Sequence, residues 1–316
     1  VIPDIQAKPG VPLDHCRWIG QALVEYRPDV VVNLGDTWDF PSLNSHEKPG
    51  SQPLEGARYK ADLESGAEAM RLISEPMERE CRRSKAWRPR KIFLLGNHED
   101  RADRACLNDP KYCGHVGSEN CDTRDWERHK FLKIVNVDSV LYAHYFANTH
   151  SGRPIGGTVQ NRLSKIGASF VQGHQQGYDV GKKLMASGRT WTGIVAGSAY
   201  PQREEYRGNQ GQRHWRGVVV LNEVEDGEFC EMPLTLDYLA RKYERQTLHS
   251  FMCKKYPYDD WSHLGCHEQS LSLNASGPRS SKPGMTTAGN GRPAQRTGTG
   301  RSGRDQALAS RSRQAA

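Results

Sequence analysis

Four short polar segments carry the chemistry open to this sequence. They are Asp4-Ile5-Gln6, Gly35-Asp36-Thr37-Trp38-Asp39, Gly96-Asn97-His98-Glu99 and Gly173-His174-Gln175-Gln176, with a lone His144 between the last two. Carboxylates, amides and imidazoles are side chains that bind divalent cations, and imidazoles and carboxylates also carry protons in hydrolysis. Each segment follows a short apolar run: Val1-Ile2, Val30 to Leu34, Ile92 to Leu95, and Ala168 to Gln172. Such runs read as buried strands, because nearly every position must face packed structure. A Gly then turns the chain sharply, and the next residue points into the cleft beyond the strand ends of an α/β sheet. Any one segment alone is an ordinary turn or loop. Five such elements in one order read as an array built to hold metal ions.

The elements that must position these segments can also be read. Pro12 to Tyr26 has Trp18, Ile19, Ala22 and Leu23 at helical spacing, with Pro28 as a stop. Leu54 to Arg83 reads as a long helix kinked at Pro76, and Asp100 to Arg128 as a polar insertion without a regular element. A helix is expected from Gly157 to Ile166. Strands are expected at Thr192 to Ala196, Gly217 to Asn222 and Glu228 to Pro233, with Asp226-Gly227 as a hairpin turn. Strands alternating with helices, followed by a run of strands, give an α/β chain.

With these motifs in hand, residues 1 to 235 resemble the calcineurin-like metallophosphoesterases, bacterial and phage members included, whose signature runs D-x-H, G-D-x-x-D, G-N-H-[DE], H and G-H-x-H. The resemblance implies a two-sheet β-sandwich flanked by helices and a catalytic domain over residues 1–240. It also implies two divalent metal ions, Mn²⁺ first among Mg²⁺, Fe²⁺ and Zn²⁺. In that pattern Asp36 bridges the two ions, and Asp4, residue 6 and residue 176 complete the first position. Asn97, His144 and His174 fill the second. His98 stands outside the metals, meets the substrate phosphate together with Asn97 and protonates the leaving oxygen, with Asp39 orienting its ring. Two dications about 3.5 to 4 Å apart can clamp the attacking and leaving oxygens of an in-line displacement.

The sequence departs from the family pattern twice, at Gln6 and at Gln176, where the pattern has His. Both departures fall on the first metal position. Each keeps a carbonyl oxygen, so the expectation is a first position with oxygen donors only, weaker than the second and suited to Mn²⁺ or Mg²⁺. The opposing reading is decay of that half of the site, which leaves one metal or none. Protein Ser/Thr phosphatases of the superfamily continue the second motif with Asp-Arg-Gly, whereas here Asp39 is followed by Phe40-Pro41. That favours a phosphodiesterase or nuclease, with Trp38 and Phe40 near the cleft. A phosphomonoesterase acting on a nucleotide or another small molecule and a non-catalytic metal-binding scaffold remain as alternatives.

Composition sets the remaining expectations. The 316 residues are 36% apolar, enough for a packed core, and no stretch reads as a membrane span or a secretory leader. Eight unevenly spaced Cys are expected to be reduced thiols in a cytoplasm. The chain opens at Val1 without Met and is expected to continue upstream. The formal charge of +7 comes from residue 271 onward, where eight Lys and Arg stand against the single acid Asp305. That segment, 271–316, is rich in Ser, Gly, Thr and Pro, so it is expected to be disordered, either a solvated appendage or a contact for DNA or RNA phosphates. Residues 241–270 form an extension of uncertain kind. Cys106, Cys113, His115 and Cys121, and likewise Cys253, His263, Cys266 and His267, lack the tight C-x-x-C pair of a structural zinc site. His46 and His150 lie in loops near the motifs.

Overall fold

The fold is known from a computed structural model that describes residues 1–265 except 46, 49, 52 and 53. In chain order the elements are α1 (Asp14–Tyr26), β1 (Val30–Asn33), α2 (Tyr59–Arg83), β2 (Arg90–Leu94), α3 (Asp100–Asn108), β3 (Glu127–His129), β4 (Val135–Val137), β5 (Val140–Ala143) and α4 (Val159–Ile166). They continue with β6 (Phe170–Gln172), β7 (Tyr178–Leu184), β8 (Thr190–Ala196), α5 (Gly208–Gly211), β9 (Gly217–Glu225), β10 (Glu228–Thr235), α6 (Leu236–Glu244) and α7 (Leu248–Lys255). The chain is therefore α/β. Strands β1, β2 and β3 form a parallel sheet. A mixed five-stranded sheet runs β4-β5-β6-β8-β7, parallel through β5, β6 and β8 and antiparallel at both edges. Strands β9 and β10 make an antiparallel hairpin about Asp226-Gly227.

Apolar patterning explains how these layers meet. Val32, Leu34, Ile92 and Leu94 share one buried cluster with Val140, Tyr142, Val171, Ile194 and Ala196, so side chains of the three-stranded and five-stranded sheets pack together. A second cluster joins the sheet to the helices through Trp18, Ile19, Met70, Ile73, Phe93, Leu239 and Phe251. Helix α1 ends at Arg27, whose left-handed backbone lets its N–H cap the Leu23 carbonyl, and Pro28 follows. Close packing of α1 on α2 depends on Gly20, where an added Cβ would lie 2.7 Å from the Ile73 carbonyl oxygen.

Most expected elements form near their expected places. The long helix starts at Tyr59, later than Leu54, and contains Pro76. Asp100 to Arg128 is not irregular throughout, because α3 occupies its first nine residues. Asp100 and Asp103 in the first turn favour that helix through its dipole. Strands β3, β4, β5 and β7 and helices α6 and α7 were not anticipated; β3 to β5 are only three or four residues long. Helix α6 runs across residue 240, and Phe251 of α7 meets Trp18 edge-on at 5.0 Å. The seven cysteines among the described residues are free. No helix among the described residues is long and apolar enough to cross a membrane. The basic segment 271–316 and the residues His46, Cys266 and His267 lie outside the described residues.

Candidate metal centre

The site forms where β1, β2, β5 and β6 end side by side. Ile2 bridges in parallel to Asn33 beside β1, which carries Asp4 to the same edge. Two turns there are locked together by Glu99, a fully buried carboxylate that accepts from the amides of Gly96 (2.8 Å), Asp36 (2.9 Å), Thr37 (2.7 Å) and Trp38 (2.9 Å). Burial and the neighbouring Asp36 push the Glu99 carboxyl up, while the amide donors hold it down. The turns approach so closely that a Cβ on Gly96 would lie 2.1 Å from Asp36 Oδ1. Gln6, Asp36, His174 and Gln176 all adopt left-handed backbone, with φ of 48°, 51°, 67° and 50°. Several such residues in one place are the kind of local strain that collects at functional sites.

Four donor side chains converge. Asn97 Oδ1 lies 2.8 Å from His144 Nε2 and 2.7 Å from His174 Nδ1, and His144 Nε2 lies 3.3 Å from Asp36 Oδ2. Among the described residues, Asp36, His144 and His174 are the one group of His, Cys, Asp or Glu whose ligand atoms all lie within 4.8 Å of one another. His144 is wholly buried, and its Nδ1 donates to the Leu34 carbonyl at 2.8 Å, which aims Nε2 at the cluster. A metal-binding imidazole is oriented by just this kind of bond from its other nitrogen. Burial lowers the basicity of His144, yet the Asp36 carboxylate outweighs it and lifts the ring to about 9. Burial likewise opposes ionisation of Asp36, but His144 and His98 hold it well below the usual carboxylate range. His174 is pushed down to about 4 by burial and by His144. An oxygen-and-imidazole set of this kind fits one divalent metal ion.

His98 is beside this cluster and turned another way. Its Nδ1 lies 2.7 Å from Asp39 Oδ1, its Nε2 is 3.2 Å from Arg101 Nη2, and its backbone N–H donates to Asp36 Oδ1 at 2.9 Å. Burial lowers the His98 pKa, but Asp36 and Asp39 together raise it above the ordinary value. Asp39 is itself held by Lys8, whose Nζ is 3.1 Å from Asp39 Oδ2 and 2.8 Å from Glu204. The carboxylate that orients the ring is therefore fixed from behind.

Asp4 is buried beside the cluster, where Oδ1 accepts from the His174 amide at 3.0 Å and Oδ2 has no partner. Burial and Asp36 push its carboxyl up to about 7. Gln6 and Gln176 are buried beside it; Tyr200, Tyr206 and Arg207 engage the Gln176 amide, while Gln6 Oε1 meets only the Tyr206 hydroxyl at 3.3 Å and Gln6 Nε2 has no partner. Trp38 and Phe40 are fully buried and line no cleft: Trp38 Nε1 donates to the Leu63 carbonyl, and Phe40 stacks on Tyr59. His150 is exposed in its loop. Cys106 donates its thiol to the Val116 carbonyl at 2.7 Å, and Cys113, His115 and Cys121 do not join it in a metal-holding group among the described residues.

A cleft of about 360 Å³ opens on the metal-facing side, lined by Asn97, His174, Arg101, Arg104, Phe131 and Tyr145 among others. Arg101 is held by the Asp39 carbonyl at 2.7 Å, and Arg104 by the Asn97 carbonyl at 3.2 Å. These two guanidinium groups were missed in the sequence because α3 was read as irregular. Their i, i+3 spacing directly after Gly96-Asn97-His98-Glu99 was the available signal. Comparison with models of known protein families and with curated proteins finds no match for this chain.

Proposed function

We propose that the protein is a metal-dependent phosphoester hydrolase of the calcineurin-like metallophosphoesterase kind, acting on phosphodiesters, with nucleic acid as the leading substrate class. The observation that carries the reading is His98, fixed at 2.7 Å from Asp39 beside the Asp36–Asn97–His144–His174 cluster and not within it. A scaffold that only holds metal has no use for a third, separately oriented imidazole next to the ligands. The shared core of the three-stranded and five-stranded sheets supports reading them as the two layers of a β-sandwich.

A divalent ion on the cluster would supply Lewis-acid stabilisation of phosphoryl oxygens and make water acidic enough to attack at neutral pH. The protein's own groups do the rest. Arg101 and Arg104 draw the phosphate anion into the cleft and bind its oxygens, the role that the absent Asp-Arg-Gly arginine fills in the protein phosphatases. Arg101, which donates to His98 Nε2 in this structure, would turn to the phosphate; with Nε2 then protonated, His98 gives that proton to the departing alkoxide as water attacks phosphorus and the ester P–O bond breaks, and Asp39 stabilises the charged ring before transfer. The products are an alcohol and a phosphomonoester.

The assay is hydrolysis by the full chain with Mn²⁺ of bis-p-nitrophenyl phosphate, p-nitrophenyl phosphate, single-stranded DNA and duplex DNA. Diester cleavage should exceed monoester cleavage and should vanish in Asp36→Asn. Preference for p-nitrophenyl phosphate would move the assignment to a phosphomonoesterase, and no turnover of any substrate above the Asp36→Asn background would end the hydrolase reading.

A further inference from the structure

The half of the site that carries Gln6 and Gln176 is wired unlike a metal position. Gln176 Oε1 accepts from the Tyr200 hydroxyl at 2.7 Å and from Arg207 Nη1 at 2.5 Å. An amide oxygen has two lone pairs, and these donors take both. The same amide donates through Nε2 to the Tyr206 hydroxyl at 2.9 Å, and that hydroxyl faces Gln6 Oε1 at 3.3 Å. The Tyr206 hydroxyl, on a residue that is itself 65% exposed, also lies 3.1 Å from Gln176 Oε1, so Tyr200, Tyr206 and Arg207 all face that one oxygen. Arg207 is anchored by Nε to the Gly211 carbonyl at 3.0 Å, and the Gln6 carbonyl accepts from Gln202 Nε2 at 3.1 Å. The knot is thus tied to the chain at both ends.

We infer that this knot takes the place of a second cation, so that the centre holds one divalent ion, on Asp36, Asn97, His144 and His174, and the segment Tyr200 to Arg207 closes the other half to metal. The inference rests on reading those four residues as metal ligands. Two physical effects exclude the second ion. The Gln176 oxygen has no lone pair left to give. A dication on that oxygen would also stand within about 5 Å of the guanidinium already bonded to it, and like charges at that separation repel strongly in a buried site. Asp4 Oδ2 is left without a partner there and Gln6 Oε1 meets a single donor at 3.3 Å, and two oxygens fall short of the six or more ligands of a hard dication. The two departures from His are then neither random decay nor a weaker, oxygen-only metal position. An amide can accept at one end and donate at the other, as Gln176 does between Arg207 and Tyr206.

The test is a metal count on the full chain, stripped with chelator, equilibrated with Mn²⁺, desalted and read by elemental analysis and electron paramagnetic resonance. One equivalent per chain with the signal of an isolated Mn²⁺ ion is expected. Two equivalents with an exchange-coupled signal would overturn the inference while leaving the four ligands in place. No retained ion would overturn the inference and the ligand reading together, so the two failures are distinguishable. Opening the knot with Arg207→Ala, Gln6→His and Gln176→His in one chain should raise the count to two. A count that stays at one in that variant would show that the knot is not what excludes the second ion.

Discussion

His98 and His144 are both buried imidazoles within 4 Å of Asp36, and what separates their roles is the atom each presents. His144 spends Nδ1 on a backbone carbonyl and turns Nε2 to the cluster, whereas His98 spends Nδ1 on the Asp39 carboxylate and turns Nε2 toward Arg101. A backbone carbonyl fixes a neutral donor for metal, while a carboxylate stabilises an imidazolium ready to release its proton. His98→Asn should therefore cut turnover of an alkyl phosphodiester by a factor on the order of 10² to 10⁴, with metal content close to that of the parent protein. The loss should shrink for p-nitrophenyl esters, whose leaving group needs little protonation. Full activity of this variant on an alkyl diester would remove His98 from proton transfer.

Helix α1 shows how an element that positions the site brings its own pH dependence. His15 on this helix is wholly buried, with Nδ1 unpartnered and Nε2 3.5 Å from Cys16 Sγ, and burial drives its pKa down to about 4. The unfolded chain takes up a proton near pH 6.5 that the folded chain refuses until about pH 4. The stability His15 contributes is thus complete above pH 6.5 and is lost as pH falls toward 4, by up to about 3 kcal/mol. His174 and His214, also lowered by burial, act in the same direction, so the informative quantity is the difference between variants. Urea unfolding of His15→Gln should show a shallower loss between pH 6.5 and 4 than the parent, and parallel curves would contradict this account. At this scale the sequence was legible where apolar runs were long or helical spacing was strict, as in α1, α2 and the runs before the motifs. It was not legible where pairing decides, as in Val140-Leu141-Tyr142-Ala143, a four-residue strand secured by neighbours remote in sequence. The motif residues Asp36, Asn97, His144 and His174 could be read because five such segments stand in one order along the chain, although each alone is an ordinary turn or loop. The donors that saturate Gln176 could not, since Tyr200, Tyr206 and Arg207 carry no motif and meet it only through the fold.

Among the described residues, the core clusters and the candidate site draw on residues 1–265. Ending the chain at residue 270 removes the eight basic residues of the C-terminal segment and should leave hydrolysis of bis-p-nitrophenyl phosphate unchanged. If the segment touches nucleic acid, the same truncation should flatten the salt dependence of DNA binding, because fewer counterions are released. Lost small-substrate activity would mean that the segment contributes to the cleft. The central claim is that one divalent ion on the Asp36–Asn97–His144–His174 cluster powers phosphoester hydrolysis, and it is tested most directly by measuring binding and turnover in a single titration. Chelator-stripped protein is titrated with Mn²⁺ while bound metal and bis-p-nitrophenyl phosphate hydrolysis are followed together. Activity should rise in proportion to the first equivalent bound and level off there, and His174→Ala should lose both binding and turnover. Turnover in the stripped protein, or a filled site without turnover, would contradict the account.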